Sequence, residues 1–324
     1  MQPRSVLRTS FHFGAVALLF ASVSAAAQAQ MPRLPEFHIS SPSGSYLAAR
    51  IARSERDVSS ASAFYRSVLR TDPKNPDLLE LTFLVTLQSG SAEESFPLAE
   101  RLIAVDRSHR IARLALGVKA LKANQFAQAR THLAIAGQGP IADLTATLLT
   151  GWSWYGSNNF KNGIAQIDKL SGPEWYGLYK NMHVSLMLDL ANQRNEALKR
   201  MERVRSIDPN SLRNVDAYAR ILARAGRVED AEKVYGDFSR ALVRHPLIDS
   251  ALAELKTSGK LTPLVSNAAT GASEALYGLG SALSQEQGGE ELGMVYLQLA
   301  IYLNPEHPLA VVALGSLFEA TKKY

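Results

Sequence analysis

The side chains that could do chemistry are scattered along this chain. Seven histidines stand at positions 12, 38, 109, 132, 183, 245 and 307. No two lie at metal-ligand spacing, and no His-Glu-x-x-His is present. There is no cysteine, which excludes disulfides, thiolate metal sites, cysteine nucleophiles and a lipid carried on cysteine. Gly278-Leu279-Gly280 begins like a dinucleotide-binding turn, in which glycines let backbone N–H groups approach a pyrophosphate. Leu283 stands where the third glycine is needed, and no strand precedes it. Gly151-Trp152-Ser153-Trp154 imitates a nucleophile elbow, but Tyr155 replaces the closing glycine. Thr257-Ser258-Gly259-Lys260 lacks the upstream glycine and the following hydroxyl of a phosphate loop. Two carboxylate pairs, Glu93-Glu94 and Glu290-Glu291, fall at the starts of expected helices, where the helix dipole favours negative charge without any acid–base role. The expectation is a non-enzyme with no metal and no small-molecule cofactor.

The elements that carry these residues are set by a different spacing. Ala61, Ser95, Ala129, Gly163, Ala197 and Ala231 recur every 34 residues. Twelve residues before them stand Ala49, Phe83, Gly117, Gly151, Ser185 and Ala219, small in all but one case. Four residues after them the chain is apolar throughout: Tyr65, Ala99, Leu133, Ile167, Met201 and Tyr235. Apolar residues also stand seven places after them, from Val68 to Phe238. Two antiparallel helices pack closely only where facing positions lack bulk, and each pair must stack on its neighbours to bury its remaining face. Runs of β-branched residues with period two are lacking. The spacing predicts an all-α array of stacked antiparallel helix pairs. Six regular pairs occupy 44–246, with Gly90, Asn124, Asn158, Asn192 and Gly226 among the turn residues. The register then breaks, since the next column residue is Gly293. Residues 247–272, with Gly259, Pro263 and Gly271, read as an irregular pair of short helices. Residues 273–324 read as one further pair followed by an unpaired terminal helix.

These columns resemble the tetratricopeptide repeat. Leu116-Gly117, Ala120, Ala129, Leu133 and Ala136 follow its pattern, as do Ala61, Tyr65 and Pro73; Ala197 and Pro209; Tyr218-Ala219, Ala231 and Tyr235; and Leu279-Gly280, Leu297, Ala300 and Pro305. The first-helix Trp of the family is absent at its usual places, and Arg107 and Val243 stand where Pro would close repeats. The resemblance implies a right-handed α-solenoid that binds other proteins, with an extended peptide or a helix held in a concave groove lined by the first helix of each pair. Carried onto this sequence, the groove positions include Tyr46, Arg50, Arg53, Trp152, Tyr155, Tyr179, Arg213, Arg220 and Arg224, apolar and aromatic in the middle and arginine-rich at both ends. The same residue types suit a packed helix face, with Arg213, Arg220 and Arg224 solvated beside Asp216. Trp154 is placed in the core.

Residues 1–29 read as a secretory signal: Arg4 and Arg8, an apolar run over 13–21, then Ala27-Gln28-Ala29 as a small-x-small cleavage site. Residues 30–43, with Pro32, Pro35 and Pro42, read as a flexible leader. An exported, cysteine-free helical array fits a bacterial periplasm, free or envelope-associated. The formal charge is +5, too mild and too dispersed for nucleic-acid binding. The resulting expectation is a protein–protein scaffold or adaptor of the cell envelope. The rivals are an envelope assembly factor tethered by an uncleaved signal anchor, and an accessory enzyme of glycan processing. Val311, Leu314, Leu317 and Phe318 on the last helix are too many apolar residues for one inward face, which suggests self-association there.

Overall fold

The computed structural model describes residues 41–241 and 245–321, so the expected signal and all but the end of the expected leader lie outside the described residues. Sixteen helices and no strands are present among the described residues. Six pairs follow one another: α1 (Pro42–Ser54) and α2 (Val58–Thr71), α3 (Pro76–Gln88) and α4 (Ala92–Val105), α5 (Arg110–Lys122) and α6 (Phe126–Ala136). Then come α7 (Pro140–Gly156) and α8 (Phe160–Lys169), α9 (Tyr176–Leu190) and α10 (Arg194–Ile207), α11 (Leu212–Arg224) and α12 (Val228–Ala241). A single helix, α13 (Pro246–Ser258), precedes α14 (Ala268–Gln285), α15 (Glu290–Leu303) and α16 (Pro308–Thr321).

The small-residue column is the axis of this packing. Ala61, Ser95, Ala129, Ala197 and Ala231 have no exposed surface, and the apolar column four residues on is almost equally buried. The glycines show why bulk is refused. A Cβ on Gly151 would lie 2.6 Å from Ile167 Cδ1, and one on Gly163 would lie 2.6 Å from the Gly151 carbonyl oxygen. A second 34-residue column governs the turns. Arg56, Gly90, Asn124, Asn158, Asn192 and Gly226 all have positive φ, between 59° and 85°, the left-handed conformation that closes each first helix and favours Gly or Asn.

Two boundaries differ from expectation. Pro42 and Ser43 belong to α1 rather than to a leader, because the Ser41 hydroxyl caps the helix at Gly44 N and Pro42 suits its first turn. The expected irregular pair is one helix followed by an extended segment. Gly259, at φ 66°, ends α13, and Pro263 can neither donate a helical hydrogen bond nor allow its predecessor an easy helical conformation. Residues 259–267 run without a helix, with Leu261 and Val265 buried. Asn267 and Thr270 then form a reciprocal capping box that starts α14 at Ala268, five residues earlier than the sequence suggests.

The final helix, α16, has no second helix after it among the described residues, and it packs on α15 and α14. Leu317 is buried beside Met294 and Leu297 of α15, with Leu314 and Phe318 half-buried around them and Val58 of α2 closing the cluster. Of the four apolar residues expected to compete for one face, only Val311 stays exposed, with its neighbour Val312.

Candidate functional site

The extended segment turns the chain back, so that the α14–α15 hairpin lies across the first helices. α14 packs on α5, α7 and α9, and α15 packs on α3, α4 and α5. The chain's own hairpin occupies the middle of the surface assigned by sequence to a partner.

Each candidate groove residue has a definite place in this arrangement. Trp152 is completely buried. Its ring lies under α14, so that a Cβ on Gly271 would collide with it. Its indole N–H donates to His183 Nδ1 at 3.2 Å. It is therefore a packing residue of the hairpin seat and not the exposed anchor that its place in the repeat suggested. Tyr155 is half-buried and meets Trp152 edge-on, with ring centres 5.6 Å apart. Tyr179 is half-buried, with Gly278 of α14 against its ring and Trp175 edge-on beside it. Gly271 and Gly278 of α14 are the complement of the Trp152 and Tyr179 rings: small residues admit the helix where the array is bulky.

The arginines divide. Arg53 Nη2 donates to Glu291 of α15 at 3.0 Å. Arg213 grips Glu274 of α14 through both Nε, at 2.6 Å, and Nη2. Arg220 Nε donates to Asp216 at 2.8 Å, and its Nη1 to the Thr262 carbonyl of the extended segment at 3.1 Å. Arg224 instead ties α11 to α9 through Asp189, 3.0 Å from both carboxylate oxygens. It is part of the array, not of the seat. Tyr46 and Arg50 are exposed on α1. Arg213 and Arg220 are thus not the solvated face that their residue types also suit: like Arg53, both touch the returning chain.

Of the carboxylates that answer them, Glu274 alone has no place in the sequence reading. Glu274 is almost wholly buried, at 4% exposure, held by Arg213 and by His307 Nε2 at 3.0 Å. His307 Nδ1 accepts from Ala310 N, so Nε2 carries the donated proton. Burial alone would raise the Glu274 pKa, but the Arg213 charge and hydrogen bonds, joined by His307, hold it well below the usual carboxylate range. Glu274 is the lone charged residue of an eighteen-residue helix otherwise made of small, apolar and neutral polar residues; that isolation was the signal available. Further polar contacts fasten the hairpin. The Gln88 side chain donates to the Glu291 carbonyl and the Gln298 side chain to the Gln88 carbonyl. Tyr302 OH donates to Glu93 at 3.1 Å. The paired carboxylates at helix starts thus include two, Glu93 and Glu291, that also bind across the seat.

The catalytic imitations have structural positions. Ser153 lies inside α7 and donates to the Thr150 carbonyl, and Gly278-Leu279-Gly280 lies within α14. His109 and His245 cap α5 and α13. Burial pushes the His183 imidazole down to about 4, so it is neutral and free to accept from Trp152. Trp154 is half-buried rather than in the core, with the Arg130 guanidinium 3.9 Å over its ring.

No family model and no curated protein matches this chain. Solved structures do. A tetratricopeptide repeat protein from Parabacteroides merdae ATCC 43184 is similar over 87% of this chain and 99% of its own, at 11% identity and a TM-score of 0.51. A chain of the APC/C hetero-tetramer Cut9-Hcn1 is similar over 85% of this chain and 55% of its own, at 12% identity and a TM-score of 0.39. MamA is similar over 68% and 98%, at 15% identity and a TM-score of 0.32. The first of these gives the fold: an all-α helical-repeat solenoid of the tetratricopeptide type.

Proposed function

We propose that this protein is a non-catalytic, protein-binding scaffold of the bacterial cell envelope, exported to the periplasm, whose first helices recognise helical segments. The observation that carries the reading is the seat itself. A row of first helices holds a helix pair through aromatic rings set against small residues, and through arginines set against carboxylates at both ends. A surface complementary to one helical hairpin has the shape and charge to recognise a partner helix of similar chemistry, with small residues on one face and an acid at its margin. This favours a helix over an extended peptide, because the donors of the seat are side chains and not a row of backbone groups. The expected export signal and the absence of cysteine support the envelope assignment.

Photo-crosslinking in the native cell tests both parts. A crosslinker at Tyr46 or Arg50, at the exposed end of the first-helix face, should capture a discrete envelope protein. One at Val105 on a second helix should not. Equal capture from both faces, or capture only of cytoplasmic proteins, would rule the reading out.

A further inference from the structure

An opening remains beside the seated hairpin. It is a slot of about 410 Å³ between the starts of α5 and α7 and the side of α15, within the usual range for a small-molecule site and larger than one side chain requires. Its walls are apolar: Ile111 and Leu114 from α5, Ile141 from α7 and Leu292 from α15. Trp175, 40% exposed, stands at its margin. The hydroxyl groups among its lining residues ask nothing of a ligand. Thr145 Oγ1 donates to the Ile141 carbonyl at 2.6 Å. That leaves the Tyr296 hydroxyl to donate to Thr145 at 3.1 Å.

Among the described residues, one charged group lines the slot. Arg110 spends Nη1 on the Gln138 carbonyl at 2.9 Å, and a guanidinium has further N–H donors to offer. No carboxylate is found among the lining residues. We infer that this slot is a binding site for a small amphiphilic monocarboxylate, such as a medium-chain fatty acid, with its apolar body against Ile111, Leu114, Ile141 and Leu292 and its carboxylate on Arg110. A peptide segment fits the lining less well. It would bring several backbone donors and acceptors per residue to a largely apolar wall whose charge is a single cation.

Leu292 and Tyr296 belong to the hairpin, while the other walls belong to the array. The slot is complete only when the hairpin is seated, so its ligand must favour the seated state by mass action. The scaffold reading concerns a different surface and a different class of ligand, so the two stand or fall separately.

Calorimetric titration of the full chain with sodium decanoate, kept below its micellar concentration, tests the site. Saturable binding is expected, with increased amide-exchange protection of α15 at saturation. Decyltrimethylammonium, with the same tail and the opposite charge, should bind far more weakly. Arg110→Gln, at an exposed position, should weaken decanoate roughly tenfold, as one charge-assisted contact is lost. Ala142→Phe, from the wall of the slot, should abolish binding while cooperative thermal unfolding is retained. The inference is overturned if wild-type protein shows no saturable binding, if the cationic amphiphile binds as well as decanoate, or if Arg110→Gln leaves decanoate affinity unchanged. A slot that admits only a partner's apolar side chain would give the first of these results.

Discussion

Arg53 on α1 and Glu291 on α15 stand 238 residues apart in the chain, yet a single guanidinium nitrogen lies 3.2 and 3.0 Å from the two carboxylate oxygens. The pair joins the first helix of the array to the hairpin that returns from beyond its sixth pair. Its side chains are 37% and 51% exposed, so solvent screens it and its contribution is small. Arg53→Ala should lower global stability by less than about 1 kcal/mol. Urea unfolding checks this, and a larger loss would show that the closure depends on this contact.

Arg213 and Glu274 make the contrasting pair, 17% and 4% exposed at the other end of the seat. Glu274→Ala leaves a buried guanidinium with its main partner gone and should cost about 3–5 kcal/mol. Replacing both, as Arg213→Met with Glu274→Leu, should recover much of that loss. A double-mutant cycle by urea unfolding measures the coupling, and additive losses would count against the pair as drawn.

Seating should also be sensitive to acid, in two stages. The His183 pKa is depressed by burial to about 4, against about 6.5 unfolded. The stability tied to its neutral form is complete above about pH 6.5 and falls as pH drops toward 4, because the unfolded chain binds the proton first. Glu274 is also depressed, so its contribution is complete above its unfolded pKa of about 4.3 and declines below that. The urea midpoint should therefore decline from about pH 6.5 downward, and His183→Asn should flatten the upper stage. A midpoint unchanged across that interval would contradict the burial of a neutral His183.

Trp152 and Gly271 should respond as one contact. Trp152→Ala removes a completely buried ring and should cost about 3–5 kcal/mol through the cavity left behind. Gly271→Val drives a side chain into the same ring and should cost about 1–3 kcal/mol, or more if α14 cannot shift. Amide exchange along α14 locates the damage. Loss confined to the six array pairs, with α14 still protected, would place Trp152 elsewhere in the energetics.

The array was legible in the sequence because its determinants are local. Ala129 and Leu133 report a helix pair within their own repeat, and Asn124 or Gly226 reports its turn. The hairpin's return was not. Nothing periodic links Glu274 to Arg213 or Glu291 to Arg53, and two residues that meet across the fold leave no trace in the spacing between them. Trp152 and Tyr179 do stand on first helices, as the spacing implies, but residue type alone does not tell an aromatic that waits for a partner from one already covered. The second short helix expected after α13 failed for a local reason, Gly259 and Pro263 together, which the sequence did contain.

The extended segment at 259–267 also divides the order of assembly. Contacts within the six pairs span few residues and can form repeat by repeat, in the manner of a one-dimensional array. Those of the hairpin span from 61 positions, between Arg213 and Glu274, to 238, between Arg53 and Glu291. Contacts of that range form slowly, since chain closure must precede any gain. The seat must exist before the hairpin can dock. Refolding should then show a fast phase in which the array acquires its helices, and a slower one in which Trp152 loses its last contact with water.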